Sequence, residues 1–296
     1  MSQTPPSPTN LALSIKDVHF AYQRQPVLVG MKWEVPTGRL AAVLGATGAG
    51  KSTLLAVLAG AYRPTGGSVE VLGGDPTDAS TKRLIGFMPQ VEGLYTDLSV
   101  EDNLRVFAGA AGVRQALDDL VERTLELVGL RSRRKEVVSK LSAGWRQRVS
   151  LGAALIAQPQ VLLLDEPLAH ADPEFADKLW AHLRDLASKG RTVLIATSHP
   201  HVAARAQLVG VMRGGRLVVQ GATADLASPG RAAVRLTYRE KTGPLARDVQ
   251  MEDYRSELPQ AVHGQVAKPV SIEVTPETIE SQLARMLTEE PGHARP

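Results

Sequence analysis

The sequence predicts an α/β fold with a parallel sheet, and three observations support this class. Continuous apolar runs at 40–44, 161–164 and 192–196 are typical of parallel strands that are covered on both faces. Segments with the apolar spacing of helices follow, after residue 53 and over 173–189. A glycine-rich segment connects the first run to its helix. Alternation of this kind favours a sheet with helices packed on it.

The glycine-rich segment is the most informative feature of the chain. It fits G-x-x-x-x-G-K-[ST] and lies between a predicted strand and a predicted helix, as a phosphate-binding loop requires. Glycines allow backbone N–H groups to surround an anion, and the helix N-terminus adds partial positive charge. We expect Lys51 to reach the β- and γ-phosphates of a nucleotide and the Ser52 hydroxyl to bind Mg²⁺. The residues of this phosphate loop are Gly45, Ala46, Thr47, Gly48, Ala49, Gly50, Lys51, Ser52 and Thr53.

Polar residues follow the other two apolar runs at the points where those strands end. Because parallel sheets bind ligands at the carboxyl ends of their strands, we expect Asp165 to bind Mg²⁺. Glu166, one residue later, can polarise the water that attacks the γ-phosphate. His199 is placed to contact the γ-phosphate. Histidines are more often surface residues, and this interpretation is kept for His170 and His201.

A second helix N-terminus begins near residue 142. Ser142 is typical of an N-cap, and Gly144 allows the backbone to approach a ligand closely. A single chain with one phosphate loop has no obvious use for a second anion-binding helix end. Two chains packed head to tail would use both ends.

These motifs, in this order, resemble those of the nucleotide-binding subunits of ATP-binding cassette (ABC) transporters. The resemblance covers about residues 11–226. It implies a P-loop ABC ATPase core with an antiparallel β subdomain and an inserted helical subdomain, and it implies ATP and Mg²⁺ as cofactors. The motifs beside the phosphate loop are Tyr22, Gln90, the signature at 141–145, the acidic strand end at 162–166, Asp172 of the D-loop, and the switch residue His199.

The resemblance also assigns roles to residues that the patterns alone leave open. Tyr22 is expected to stack on the adenine ring, and Gln90 to sense the γ-phosphate and Mg²⁺ and relay to a membrane partner. Ser142 and Gly144 are expected to contact the ATP bound by the opposite subunit. Asp172 matches a residue of the family's D-loop, and the resemblance therefore includes it among the expected nucleotide-binding residues.

Some positions depart from the family pattern. Ala143 stands where glycine is usual, and Trp145 stands where glutamine is common. We expect the methyl group of Ala143 to be tolerated, because Ser142 and Gly144 make the phosphate contacts. The D-loop at 168–172 also lacks its common sequence, so communication between the two sites of a dimer is not carried over from the resemblance, whereas the hydrolytic residues are intact.

Residues 88–104 resemble the multidrug and antibiotic branch of ABC-2-type exporters. The sequence therefore predicts a peripheral ATPase subunit of an exporter, a homodimer that serves a separate permease at the cytoplasmic face of a prokaryotic membrane. An ABC importer subunit is the alternative within this class. A soluble ABC ATPase acting on nucleic acid or ribosomes is disfavoured by the single phosphate loop and the lack of long heptads. A non-hydrolysing cassette is disfavoured by the intact Lys51, Asp165, Glu166 and His199.

Composition agrees with a globular domain. The chain has 296 residues, 43% hydrophobic and 22% charged, a net charge of +3 and no cysteine. Even spacing of the charges does not indicate a nucleic-acid partner. Disulfides are excluded, and no apolar run reaches the roughly 18–20 residues that span a bilayer. If the protein works at a membrane, another chain must supply the spanning helices.

The chain divides into three predicted parts. Residues 1–10 form a Ser/Pro-rich tail that lacks the features of a secretory signal, and we expect it to be disordered. Residues 11–228 form the ATPase domain, with the helical subdomain at about 91–150. Residues 229–296 form a small α+β appendage of unassigned role. Its predicted elements are strands at 234–238 and 270–274 and a helix that starts with Thr275, Pro276 and Glu277.

Overall fold

The computed structural model describes residues 10–91, 93–226, 232–240, 243–251, 257–258, 269 and 271–288. The predicted tail lies outside these residues, apart from Asn10. The strands are β1 (Leu11–Tyr22), β2 (Gln25–Pro36), β3 (Leu40–Gly45), β4 (Gly66–Val71), β5 (Ile85–Met88), β6 (Val161–Asp165), β7 (Thr192–Thr197), β8 (Leu208–Arg213), β9 (Arg216–Ala222), β10 (Ala232–Glu240), β11 (Gly243–Met251) and β12 (Ser271–Pro276).

The helices alternate with these strands through the central part of the chain. They are α1 (Lys51–Leu58), α2 (Ala79–Lys82), α3 (Val100–Ala110), α4 (Leu117–Leu127), α5 (Ala143–Leu155), α6 (Pro173–Ser188), α7 (Pro200–Ala203), α8 (Thr223–Leu226) and α9 (Ile279–Thr288), with 3₁₀ helices at Arg131–Arg133 and Val138–Lys140. Within the described ranges, none of these helices has the length and apolar composition needed to cross a membrane.

A central mixed sheet confirms the predicted α/β class. Its strand order is β5–β6–β7–β3–β8–β9, and the pairs are parallel except for the β8–β9 hairpin. The three apolar runs become β3, β6 and β7, which are buried along their whole length. Gly214 and Gly215, at φ +53° and +76°, form the hairpin turn, which requires positive φ at both positions. The carboxyl ends of β3, β6 and β7 therefore meet at one edge.

Helix α1 is packed between two sheets. On one side lies the antiparallel sheet β2–β1–β4, and on the other lies the central sheet. Leu54, Leu55 and Leu58 of α1 are fully buried in the resulting apolar cluster. Burying each such side chain stabilises the fold by about 1.5–3 kcal/mol, and this packing fixes the start of α1 relative to the sheet edge.

A helical segment packs on the opposite face of the central sheet. Helices α3, α4 and α5 contact one another, and their apolar side chains join those of α6 in one cluster. The carboxylate of Glu101 lies within 3.1 Å of Arg105, Arg134 and Lys135, which come from separate parts of the segment. These contacts agree with the helical character predicted for this region.

The C-terminal residues form a second antiparallel sheet, β11–β10–β12, and then return to the core. Leu283 of α9 is buried against α7 and β8. The prediction that this helix starts at Thr275–Glu277 is wrong. The backbone of β12 stays in the ladder through Pro276, which pairs with Ala232, and α9 begins at Ile279 after the capping residue Thr278.

Candidate nucleotide-binding site

The phosphate loop curls between the end of β3 and the start of α1. Gly48 and Gly50 have φ values of +82° and +101°, which only glycine adopts without strain. A Cβ atom at Gly50 would lie 2.8 Å from the Met212 Cε atom and 2.9 Å from the Val27 carbonyl oxygen. The second glycine of the motif is therefore required by both backbone conformation and space.

Lys51 lies over the loop with its side chain buried. Its Nζ atom donates hydrogen bonds to the carbonyl oxygens of Gly45 at 2.7 Å and Ala46 at 3.2 Å. Burial lowers the pKa of Lys51, and the nearby carboxylates of Glu166 and Asp165 partly offset this effect. The ammonium group thus lies against the backbone of the loop, at the place where the sequence analysis expects a phosphate.

Asp165 ends β6 in the same cleft. Burial raises the pKa of Asp165, and the charge of Glu166 acts in the same direction. Among the described residues, its buried Oδ1 atom has no hydrogen-bond partner. The Ser52 hydroxyl, which donates to Gln90 Oε1 at 3.5 Å, lines this cleft as well. A buried, unpartnered carboxylate oxygen beside hydroxyl and amide oxygens is the type of donor set that Mg²⁺ prefers, so these residues fit the predicted ion.

Glu166 has an unusual backbone conformation for a residue with a side chain. Its φ is +47°, a conformation that costs about 1–3 kcal/mol and is often found at functional sites. The carboxylate accepts hydrogen bonds from the Ser198 N–H at 2.6 Å and from the Thr197 hydroxyl at 3.2 Å. The end of β7 therefore fixes this carboxylate at the cleft.

His199 also follows β7, as expected, but its ring is exposed and does not line the cleft. Its backbone N–H donates to the Thr197 hydroxyl at 3.1 Å, and its ring centroid lies 5.5 Å from that of His201. The contact of His199 with a γ-phosphate stays a prediction.

Tyr22 belongs to an aromatic cluster near the phosphate loop. It lies edge-on to Phe20 and Tyr62, at centroid distances of 5.0 and 5.7 Å, and its hydroxyl is 3.4 Å from Thr53 Oγ1. The hydrogen bond to Tyr22 raises the pKa of Tyr62. Both tyrosines are more than 40% exposed, so their rings offer an accessible aromatic surface. The sequence analysis missed Tyr62, which no motif marks.

The signature residues lie outside the cleft that the phosphate loop lines. Ser142 is the N-cap of α5 by backbone geometry, but among the described residues its hydroxyl makes no capping hydrogen bond. A Cβ atom at Gly144 would lie 3.5 Å from His170 of the D-loop. Asp172 caps α6 by accepting from the Phe175 N–H at 2.9 Å, which lowers the pKa of Asp172.

A hydrogen bond connects the signature helix to the cleft. Gln147 Nε2 donates to the Glu166 carbonyl oxygen at 2.8 Å. Since this contact joins residues far apart in sequence and outside any fixed spacing, the sequence gives no signal for it. The start of α5 and the acidic end of β6 are therefore physically linked within one chain.

The run at 88–104 has a structural role. The buried Asn103 side chain accepts from the Tyr95 N–H at 2.9 Å and donates to the carbonyl oxygens of Tyr95 at 2.9 Å and Ser99 at 3.0 Å. These bonds fix the loop after Gln90 onto the start of α3. A larger groove of about 480 Å³, between α4 and α6, contains none of the predicted site residues.

Comparison with known proteins identifies the family. A family model described as "ABC transporter" matches residues 28–169. The Nod factor export ATP-binding protein I of Rhizobium etli is 33% identical over 219 residues, which cover 73% of this chain and 69% of that protein. The chain belongs to the ABC transporter family. The resemblance inferred from the motifs is confirmed.

Two further relatives of this ABC family member define how far the likeness extends. The probable multidrug ABC transporter ATP-binding protein YbhF of Escherichia coli is 35% identical over 66% of this chain, but the chain spans only 34% of that protein. A solved ATP-binding subunit of an ABC transporter matches with a TM-score of 0.68 and 27% identity, over 73% of this chain and 91% of that structure. The latter confirms the predicted ABC ATPase fold.

Proposed function

We propose that the chain is the ATP-binding and ATP-hydrolysing subunit of an ABC exporter that works with a separate membrane permease. The observation that carries the proposal is one cleft in which Lys51, Asp165 and Glu166 converge beside the phosphate loop. A cation for phosphate, an oxygen ligand for a metal ion and a carboxylate for water are the groups that nucleotide hydrolysis needs.

The proposed nucleotide contacts are of two kinds, with the phosphates bound by the phosphate loop and the base stacked on aromatic rings. The phosphate loop presents its N–H groups to the phosphates, and Lys51 exchanges its carbonyl partners for β- and γ-phosphate oxygens. The exposed rings of Tyr22 and Tyr62 provide a surface for the adenine base. Stacking of this type tolerates any base, so we expect other nucleoside triphosphates to bind as well.

Glu166 is the proposed general base. It accepts a proton from water as the water oxygen bonds to the γ-phosphorus and the bond from that phosphorus to the β–γ bridging oxygen breaks. Its hydrogen bonds to Ser198 and Thr197 hold the carboxylate in one orientation. Ser52, Gln90 and Asp165 would bind Mg²⁺, which supplies positive charge to the phosphate oxygens.

The separate position of the signature supports a head-to-tail dimer. Ser142, Gly144 and Asp172 lie outside the cleft of their own chain, while α5 presents its N-terminus with Ser142 exposed. In a two-fold pair, that N-terminus can complete the site of the other chain. ATP then favours the closed pair because it contacts both chains only in that state.

Contact with a permease is proposed at the loop after Gln90. Gln90 contacts Ser52 of the phosphate loop, whereas Val91 is 84% exposed and Tyr95 is 53% exposed. These exposed apolar side chains connect the cleft to an outer surface, which we place against a permease at the cytoplasmic face of the membrane. The names of the relatives, multidrug and Nod factor export proteins, favour export over import.

The test is the release of phosphate from ATP by the purified chain, alone and with its permease. Glu166→Gln is expected to abolish hydrolysis while retaining ATP binding. Glu174→Gln, which removes an exposed carboxylate paired with Lys178, is the matched control and is expected to hydrolyse ATP normally. Full activity of Glu166→Gln would remove Glu166 from its proposed role.

A further inference from the structure

A cluster of arginine and aromatic side chains surrounds the start of α5. The guanidinium carbons of Arg133 and Arg148 lie 4.7 and 4.6 Å from the centroid of the Trp145 ring. Arg148 also lies 3.9 Å from the Phe175 ring centroid. Guanidinium groups within about 6 Å of an aromatic centroid are attracted by the ring, so these residues form one connected arginine–aromatic cluster.

The arginine–aromatic cluster joins three elements. Arg133 comes from the first 3₁₀ helix of the helical segment, Trp145 and Arg148 come from the start of α5, and Phe175 comes from the start of α6. Arg148, with a side chain only 15% exposed, also donates to the Asp172 carboxylate at 2.5 Å. The D-loop is therefore attached to the cluster through the residue that caps α6.

The cluster lies directly beside the signature residues. Trp145 follows Gly144 in the chain, and the Ser142 hydroxyl does not cap α5 among the described residues. The N-terminal end of α5 consequently depends on other contacts for its position. The cluster supplies these contacts on one side, and the bond from Gln147 to the Glu166 carbonyl oxygen supplies one on the other.

We propose that Trp145 is a positioning residue that, through Arg133 and Arg148, fixes the signature end of α5 against the D-loop for closure on a second chain. This inference rests on the proposed function. ATP binding by one chain uses the phosphate loop and does not need the cluster. Closure of two chains around ATP needs the signature end to be fixed before they meet. Trp145 departs from the family pattern, and its ring packs against both guanidinium groups.

The experiment measures ATP-dependent dimerisation by analytical ultracentrifugation in the Glu166→Gln background with saturating Mg²⁺ and ATP. Trp145→Gln is expected to weaken dimerisation by about tenfold, the scale of losing partly buried guanidinium–ring contacts. Trp145→Phe keeps an aromatic ring and is expected to restore most of the association. The affinity of the single chain for a fluorescent ATP analogue is expected to stay unchanged in both.

Two matched substitutions in the neighbouring 3₁₀ helix distinguish loss of the arginine–aromatic cluster from loss of a positive charge. Arg133→Gln removes a contact of Trp145, whereas Arg131→Gln removes an equal charge from a 67% exposed side chain that pairs with Glu122. Only Arg133→Gln is expected to weaken dimerisation. Thermal melting would reveal whether Trp145→Gln is unfolded. If it is, the comparison of the two arginine variants still tests whether the cluster supports dimerisation.

Three results would overturn the inference. Dimerisation of Trp145→Gln at the parent level would contradict it while leaving the proposed function intact. If Trp145→Gln lost as much ATP affinity in the single chain as it lost in dimerisation, Trp145 would act on the nucleotide cleft of its own chain instead. A parent that does not dimerise with ATP would refute the proposed function, and the inference with it.

Discussion

Replacement of Glu101 by glutamine should remove much of the stability of the helical segment. Glu101 is 5% exposed, and its carboxylate contacts Arg105, Arg134 and Lys135. Glutamine keeps the shape and one acceptor oxygen but removes the negative charge that binds three cations. The segment carries the loop after Gln90 and the approach to the signature, so its stability matters to the whole site.

The size of the effect follows from the pKa of Glu101. Hydrogen bonds from Arg134, and then from Arg105, lower that pKa from its ordinary 4.5 to about 2. At 1.36 kcal/mol per pKa unit, the charged form is stabilised by about 3 kcal/mol at pH 7. Because Lys135 is 78% exposed and solvent screens part of the interaction, about 2–3 kcal/mol is the expected loss.

The sign of the pH dependence is fixed by the direction of this shift. A depressed pKa contributes stability that is complete above pH 4.5 and disappears as the pH falls through 4.5 toward 2. The difference between the wild-type chain and Glu101→Gln should therefore shrink by about 40% between pH 7 and pH 3.5.

Urea unfolding followed by circular dichroism measures this difference. Glu174→Gln is the matched control, since it breaks an exposed pair with Lys178 that contributes at most about 0.5 kcal/mol. A loss below 1 kcal/mol for Glu101→Gln, or a difference that does not change with pH, would refute the reasoning.

Three further substitutions test the site and its supports. Gly50→Ala should reduce binding of a fluorescent ATP analogue at least tenfold, because its Cβ would meet Met212 and Val27; normal binding would contradict the loop geometry. Tyr22→Ala should weaken the same binding by about 1–3 kcal/mol while Tyr22→Trp does not, and equal effects would exclude stacking. Asn103→Ala should lower the free energy of unfolding by about 1 kcal/mol in a urea titration, since it removes the hydrogen bonds of a buried side chain to the partly buried backbone of Tyr95; a neutral result would contradict that.

The sequence was sufficient for the fold class and for the parts of the site that depend on local spacing. The apolar runs became β3, β6 and β7 because a strand covered on both faces needs no alternation. The strand–loop–helix order placed Lys51 beside Asp165 because parallel strands end at the same edge. The ABC resemblance, confirmed by its relatives, follows from the order of the motifs.

Contacts between distant segments could not be predicted in the same way. Tyr62 and Gln147 join the site through tertiary packing, which no spacing along the chain encodes. The start of α9 was misplaced because Thr275 and Pro276 read as a helix start, whereas pairing with β10 keeps them in a strand. Ser142 is the N-cap of α5 by backbone geometry, as expected, but among the described residues its hydroxyl makes no capping hydrogen bond. The contacts of Trp145 and Gln147 at this helix end come from distant segments, so spacing along the chain gives no signal for them.

The central claim is that the ATP site is shared between two chains. The most direct test is the mass of the Glu166→Gln chain with saturating Mg²⁺ and ATP, measured by light scattering after size-exclusion chromatography. We predict a species of twice the 31.7 kDa chain mass that reverts to one chain when ATP is removed. A mass of one chain at every ATP concentration, with and without the permease, would contradict the account.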